Sequence, residues 1–198
     1  MSTQKCGRTL FKGGAVVTMD STVSNLATGD VLVDGDRIAA VGANLRVYDA
    51  QVIDAAGSIV MPGLIDAHHH MWLGVMRRMM PDVDDLFAYI DVVAETLGAQ
   101  YRPLDMYLST KLTAVASLDA GITTIIDACH SSRSPGHTDA ALDALDDAGI
   151  RALHMVGAAM DKKASAAHLP ADLERLAANW NSAGGLVRVG LFGQLNVD

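Results

Sequence analysis

The sequence is short of positive charge, of cysteine and of long apolar runs. Fifteen Lys and Arg stand against 23 Asp and Glu, a formal net charge of −8. No cluster of Lys and Arg offsets that deficit, so no basic face for nucleic acid is expected. The two cysteines, Cys6 and Cys129, are too few and too far apart for a disulfide scaffold or a paired-cysteine metal knuckle. Both read as ordinary reduced thiols. No apolar run approaches the ~20 residues of a membrane span, and the first residues lack the charged-then-apolar pattern of a signal peptide. The expectation is a soluble, cytoplasmic protein with neither a nucleic-acid nor a membrane partner. No strand is followed by G-x-G-x-x-G, the P-loop is missing, and no internal repeat is visible. What is abundant is apolar side chain. Half the residues are hydrophobic, too many for a disordered chain and enough for a sizeable core.

Residues 1–60 read as short strands and tight turns, a small antiparallel, β-sandwich-like domain. Arg8 to Lys12, Gly13-Gly14 and Ala15 to Met19 suggest one hairpin. Asp30 to Val33, Asp34-Gly35 and Arg37 to Val41 suggest a second, and Gln51–Asp54 and Ser58–Met61 are two more extended pieces.

From Pro62 the pattern changes to alternating strands and helices. Gly63–His70, Ile122–Asp127, Ile150–Val156 and Leu186–Phe192 read as strands. Asp84–Leu97, Pro103–Ala120, Thr138–Ala148 and Ala171–Trp180 read as helices, with Gly121 and Gly149 as stops. Such an order pairs its strands in parallel under covering helices. The predicted fold class is α/β, with residues 61–198 forming the first four βα units of a (β/α)₈ TIM barrel. A whole barrel takes roughly 250 residues, about 31 per unit, so residues 61–198 hold about four. An open half-barrel leaves strand edges and an apolar surface uncovered, which predicts a homo-oligomer or association with the absent barrel half.

The first barrel strand ends in Asp66-Ala67-His68-His69-His70. Side chains two apart share a strand face, so His68 and His70 project together while His69 points away. Two imidazoles at the C-terminal end of a barrel strand can hold one divalent ion, each at about 2.0–2.1 Å. Such an ion lowers the pKa of a bound water towards ~7. A bare H-x-H arises cheaply by chance. Here it stands behind Pro-Gly, an apolar strand and an aspartate, after a β-rich leader, and that setting favours a metal pair.

Pro62-Gly63-Leu64-Ile65-Asp66 followed by His68 and His70 resembles the first-strand signature of the amidohydrolase superfamily, and within it the cytosine deaminase and atrazine chlorohydrolase branch. Asp30–Gly42, Val52–Pro62 and Ala120–Asp127 resemble that branch too, so the likeness runs from about Thr9 to Phe192. The resemblance implies one divalent metal, zinc ahead of iron or manganese, with His68 and His70 as its first two ligands. It implies hydrolysis of a C–N bond, in particular deamination of an aminated heterocycle such as a nucleobase or triazine. The third and fourth ligands and the acid/base groups come from later strands in the family, so no catalytic residue is assigned within this chain. Where the branch often reads Leu-Arg-Gly this chain has Met76-Arg77-Arg78, and no substrate-orienting role is carried over to Arg77. A cyclic-amide hydrolase of the dihydroorotase or hydantoinase type is the alternative, though the fourth strand lacks the lysine those two-metal enzymes often use. A half-barrel without activity, binding only a partner, is the other.

Trp72 and His130 are candidate substrate contacts. Trp72 follows the metal strand among Met71, Met76, Met79 and Met80, soft side chains that suit a pocket wall or a core equally. His130 ends the second strand on the side of the expected site, where a structural histidine is the competing reading. Asp127 either bonds nearby backbone or orients His68 or His70. Asp139, Asp143, Asp146 and Asp147 read as a solvated helix face, and His137, His154 and His168 carry no ligand-like spacing.

Overall fold

The computed structural model describes residues 7–79, 82, 84–161, 165–181 and 184–193. Cys6 and Met80 lie outside them. The chain divides into two compact units, Met1–Pro62 and Gly63–Asp198.

In the first unit, β1 (Arg8–Val16) is central. It pairs antiparallel with β2 (Leu26–Asp34), which pairs antiparallel with β3 (Arg37–Gly42). Along its other side β1 runs parallel to β4 (Ala50–Asp54) and then β5 (Ile59–Val60). The described sheet is therefore mixed, where an antiparallel layer was expected. Gly13-Gly14 also differs from the expected hairpin. The strand continues through both glycines, and its register with β2 slips between Phe11 and Gly14 and again before Val16. Gly13 has φ +81°, and a Cβ on Gly14 would lie 2.8 Å from Val60 Cγ2 and 3.2 Å from the Ala55 carbonyl. The pair makes a bulge against a close neighbour, not a turn. The second hairpin is present, with Gly35 (φ +62°) first in a two-residue loop closed by Asp34 and Arg37.

Asp30 fastens this unit. Its side chain, 3% exposed, accepts from Gly13 N at 2.9 Å and from Leu45 N at 2.8 Å, tying the bulge to the β3–β4 connection.

In the second unit four parallel strands lie in the order β6 (Leu64–His69), β7 (Ile122–Cys129), β8 (Arg151–Val156) and β9 (Val187–Leu191). The chain passes between them through α2 (Pro103–Asp119), α3 (Pro135–Ala148) and α4 (Leu169–Trp180). These three follow the sequence reading to within a few residues. The helix expected over Asp84–Leu97 is instead α1 (Leu86–Ile90), a π-turn segment Asp91–Leu97 and a 3₁₀ turn Gly98–Gln100. Asp85 starts it by accepting from Ala88 N at 2.8 Å. A further 3₁₀ segment, Met71–Met76, follows β6 directly.

The main core fills the layer between sheet and helices, where Ile125, Leu142, Leu145, Ile150, Val156 and Leu176 are completely buried. Truncating one of these leucines to alanine costs about 2–5 kcal/mol, far more than a solvent-screened ion pair such as Arg102–Asp105 contributes. Helix α2 departs from this pattern. It buries Met106, Ser109, Thr110, Ala114 and Ser117, while Leu104, Leu108, Leu112 and Val115 are each more than half exposed. Its inward face is small and hydroxylated, so backbone can approach it closely. Among the described residues no helix is long and apolar enough to cross a membrane.

Asp30→Ala leaves two backbone donors without their acceptor. It is expected to destabilise the chain by about 2 kcal/mol or more, read from urea unfolding, with Asp30→Asn recovering part of the loss.

Candidate metal centre

Among the described residues strand β6 pairs with β7 alone, and its register against β7 carries one extra residue between Asp66 and His69. This bulge aims the histidines. Asp66 holds it: one carboxylate oxygen accepts from His68 N at 3.1 Å and the other pairs with His69 Nδ1 at 2.8 Å. His69 thus turns to Asp66, and His68 and His70 turn to each other.

The Nε2 atoms of His68 and His70 stand 3.2 Å apart. Two ligands at about 2.05 Å with a tetrahedral angle between them would be separated by about 3.3 Å, so the pair fits one ion. His70 Nδ1 lies 2.5 Å from the Ala128 carbonyl, which can only accept. The proton therefore sits on Nδ1, and Nε2 is left as the ligand atom. Among the described residues no set of three or more His, Cys, Asp and Glu is placed to share a metal.

The backbone behind His70 is gripped from two sides. Asp127 Oδ1 accepts from Met71 N at 3.0 Å. From α2, Thr113 donates to the Met71 carbonyl at 3.0 Å and Ser109 to the Trp72 carbonyl at 2.6 Å, where the Tyr101 hydroxyl also donates, at 3.1 Å. The small, hydroxylated face of α2 has its use here.

His130 is where the sequence placed it, at the end of β7. Its ring centroid is 4.4 Å from that of His70, 5.3 Å from Trp72 and 6.2 Å from Phe192. The residue is 8% exposed and its Nδ1 has no hydrogen-bond partner among the described residues. Burial, reinforced by His70, lowers its pKa to about 4, so the ring is neutral at physiological pH. Trp72 differs from a pocket wall. It is 1% exposed, packed with Met76, Val93, Met106 and Cys129, and meets His130 edge-on from behind. Of the methionines, Met71 and Met76 are also buried and Met79 is exposed. Cys129 is a free, buried thiol.

Sequence reasoning set His154 aside, yet it is central. Its Nδ1 is 2.7 Å from Asp127 Oδ2, and both side chains are buried. Burial opposes its charge, but the Asp127 hydrogen bond, with Cys129 adding, outweighs that and raises its pKa to about 10. The signal was available: His154 alternates with Ala152 and Val156 on the core-facing side of β8 and falls in register with Asp127. Asp127 itself bonds backbone, one of its two open readings. His137 bridges Ser134 and the Tyr101 carbonyl, and Asp143, Asp146 and Asp147 lie on a solvated face.

Comparison with known proteins adds an independent line. The amidohydrolase family model matches residues 59–193. A 5-methylthioadenosine/S-adenosylhomocysteine deaminase of Symbiobacterium thermophilum is 31% identical over 149 residues, covering 74% of this chain and 33% of that enzyme. The crystal structure of a triazine hydrolase variant superposes with a TM-score of 0.78 at 27% identity, over 93% of this chain and 46% of that one. An atrazine chlorohydrolase mutant from Arthrobacter aurescens, complexed with zinc and atraton, gives 0.70 at 26% identity, over 92% and 46%. The chain thus spans between a third and a half of the length of these relatives.

A histidine whose pKa is raised by folding contributes stability in full below its ordinary pKa of about 6.5, and loses it as pH rises through the folded value. The Asp127–His154 pair is therefore expected to stabilise fully below about pH 6.5 and to fade toward about pH 10. Urea unfolding across that range, with NMR showing His154 still protonated at about pH 8, checks it.

Proposed function

Because the chain belongs to the amidohydrolase family, we propose that it provides the first two metal ligands, His68 and His70, of a hydrolase that deaminates an aminated heterocycle. The observation that carries this reading is the convergence of the two Nε2 atoms at 3.2 Å, with His70 Nδ1 already committed to Ala128. When bound, a divalent ion, zinc first among zinc, iron and manganese, supplies a water of lowered pKa beside the substrate.

The remaining roles fall to the chain's own residues. His130, neutral and set beside His70, is the proposed substrate contact, since a neutral imidazole can donate to or accept from a ring nitrogen or an amino group. Trp72, buried and edge-on to His130, bears on the substrate through that ring. Residues 61–198 are read as the first four units of a (β/α)₈ barrel. The third and fourth ligands and the proton-transferring groups then come from outside the described residues. The exposed stripe of α2 and the open edges of β6 and β9 support an association that covers them, with a second copy or with the other half of a barrel.

Zinc titration against a chromogenic chelator tests the metal reading. The wild-type chain is expected to bind, and His68→Ala and His70→Ala to bind at least 10-fold more weakly; equal affinity in all three would sink it. Ammonia release from adenosine-type nucleosides and aminotriazines, assayed on zinc-loaded protein together with the polypeptide that supplies the remaining ligands and proton-transferring groups, tests the reaction. His130→Ala is expected to raise KM there more than it lowers kcat.

A further inference from the structure

Asp127 and His154 are buried on neighbouring strands, and the two carboxylate oxygens of Asp127 are taken by Met71 N and His154 Nδ1. We infer that Asp127, anchored by His154, is a positioning residue that locks His70 in its ligand geometry by holding the next peptide in place. This rests on the metal reading of His68 and His70 given above.

The argument is geometric. His70 is the last residue before the chain leaves β6 for a 3₁₀ segment, a junction where backbone direction changes and a side chain is easily re-aimed. Two neighbouring residues of β7 hold that junction. The Ala128 carbonyl takes the His70 ring at Nδ1, and the Asp127 carboxylate takes Met71 N at 3.0 Å. The two bonds fix ring and peptide against one strand, so the χ angles of His70 have little freedom left. His154 supplies the reason for an aspartate. A carboxylate buried to 1% exposure needs a partner for its second oxygen, and His154 provides it at 2.7 Å from the next strand. The pair thereby couples the lateral position of β8 to the aim of His70. Groups behind a ligand that fix its tautomer and orientation are worth about 10–100-fold in metal affinity.

The test uses the full chain and two readouts. The first needs no metal: ¹⁵N NMR of the imidazoles in chelator-treated protein. Wild type is expected to hold His70 as the single Nδ1–H tautomer. The second is zinc affinity by chelator competition. Asp127→Ala removes the acceptor but strands His154, so Asp127→Leu combined with His154→Phe removes the acceptor while leaving an apolar core that folds. That double variant is expected to populate both His70 tautomers and to bind zinc at least 10-fold more weakly. Asp127→Asn, which retains an oxygen for Met71 N, is expected to restore the single tautomer. Leu145→Ala, a core truncation remote from the junction, is expected to lower stability without changing either readout. A His70 ring still locked in the folded double variant, with zinc affinity within about twofold of wild type, overturns the inference. Scrambled tautomers with no zinc binding in any form would uphold the positioning role and reject the metal reading.

Discussion

Among the described residues, strand β6 pairs with β7 alone. Within them, His68 and His70 are oriented from β7 on one side and from the segment that packs behind the strand's end. The bulge at Ala67–His68, the Asp66 carboxylate that closes it, the Ala128 carbonyl and the Asp127–Met71 bond are the contacts that do so. Helix α2 completes the arrangement. Its Ser109 and Thr113 take the next two carbonyls, contacts that an ordinary leucine-rich inner face would hold too far away.

The energetics place rigidity where the chemistry needs it. The apolar core under β7, β8 and β9 supplies most of the stability of the second unit, at a few kcal/mol per buried leucine. The polar network above it contributes less net stability, because each buried hydrogen bond replaces one to water. It is the part that specifies a geometry. A buried, paired carboxylate in such a position is costly to disrupt on one side only, and this makes its contacts all-or-none.

Much of this was legible in the sequence. The four strands and three connecting helices of the second unit are local consequences of apolar runs, helix periodicity and glycine stops, and they sit within a few residues of where those signals put them. Strand alternation alone placed His68 and His70 on one face and His69 off it. The failures have common causes. Gly13-Gly14 has the composition of a turn, and only the nearness of Val60 and Ala55, distant in sequence, makes it a bulge. Parallel pairing of β1 with β4 is likewise invisible locally. Ligand spacing does not reveal His154, because its partner Asp127 lies on another strand. The burial of Trp72 depends on how deep the 3₁₀ segment sinks against α2, which is a tertiary fact.

The reversed polarity of α2 has a practical side. Leu104, Leu108, Leu112 and Val115 make no core of the described fold, yet each is an outward-facing helix position where glutamate or lysine has equal or better helix propensity. Replacing them is a neutral operation as far as the second unit's own packing is concerned. Of the four, Leu112 lines the same hollow as His68 and His70, so a solubilised version that spares the histidines changes Leu104, Leu108 and Val115 and keeps Leu112. Any function that such a version loses then measures what the greasy stripe is for.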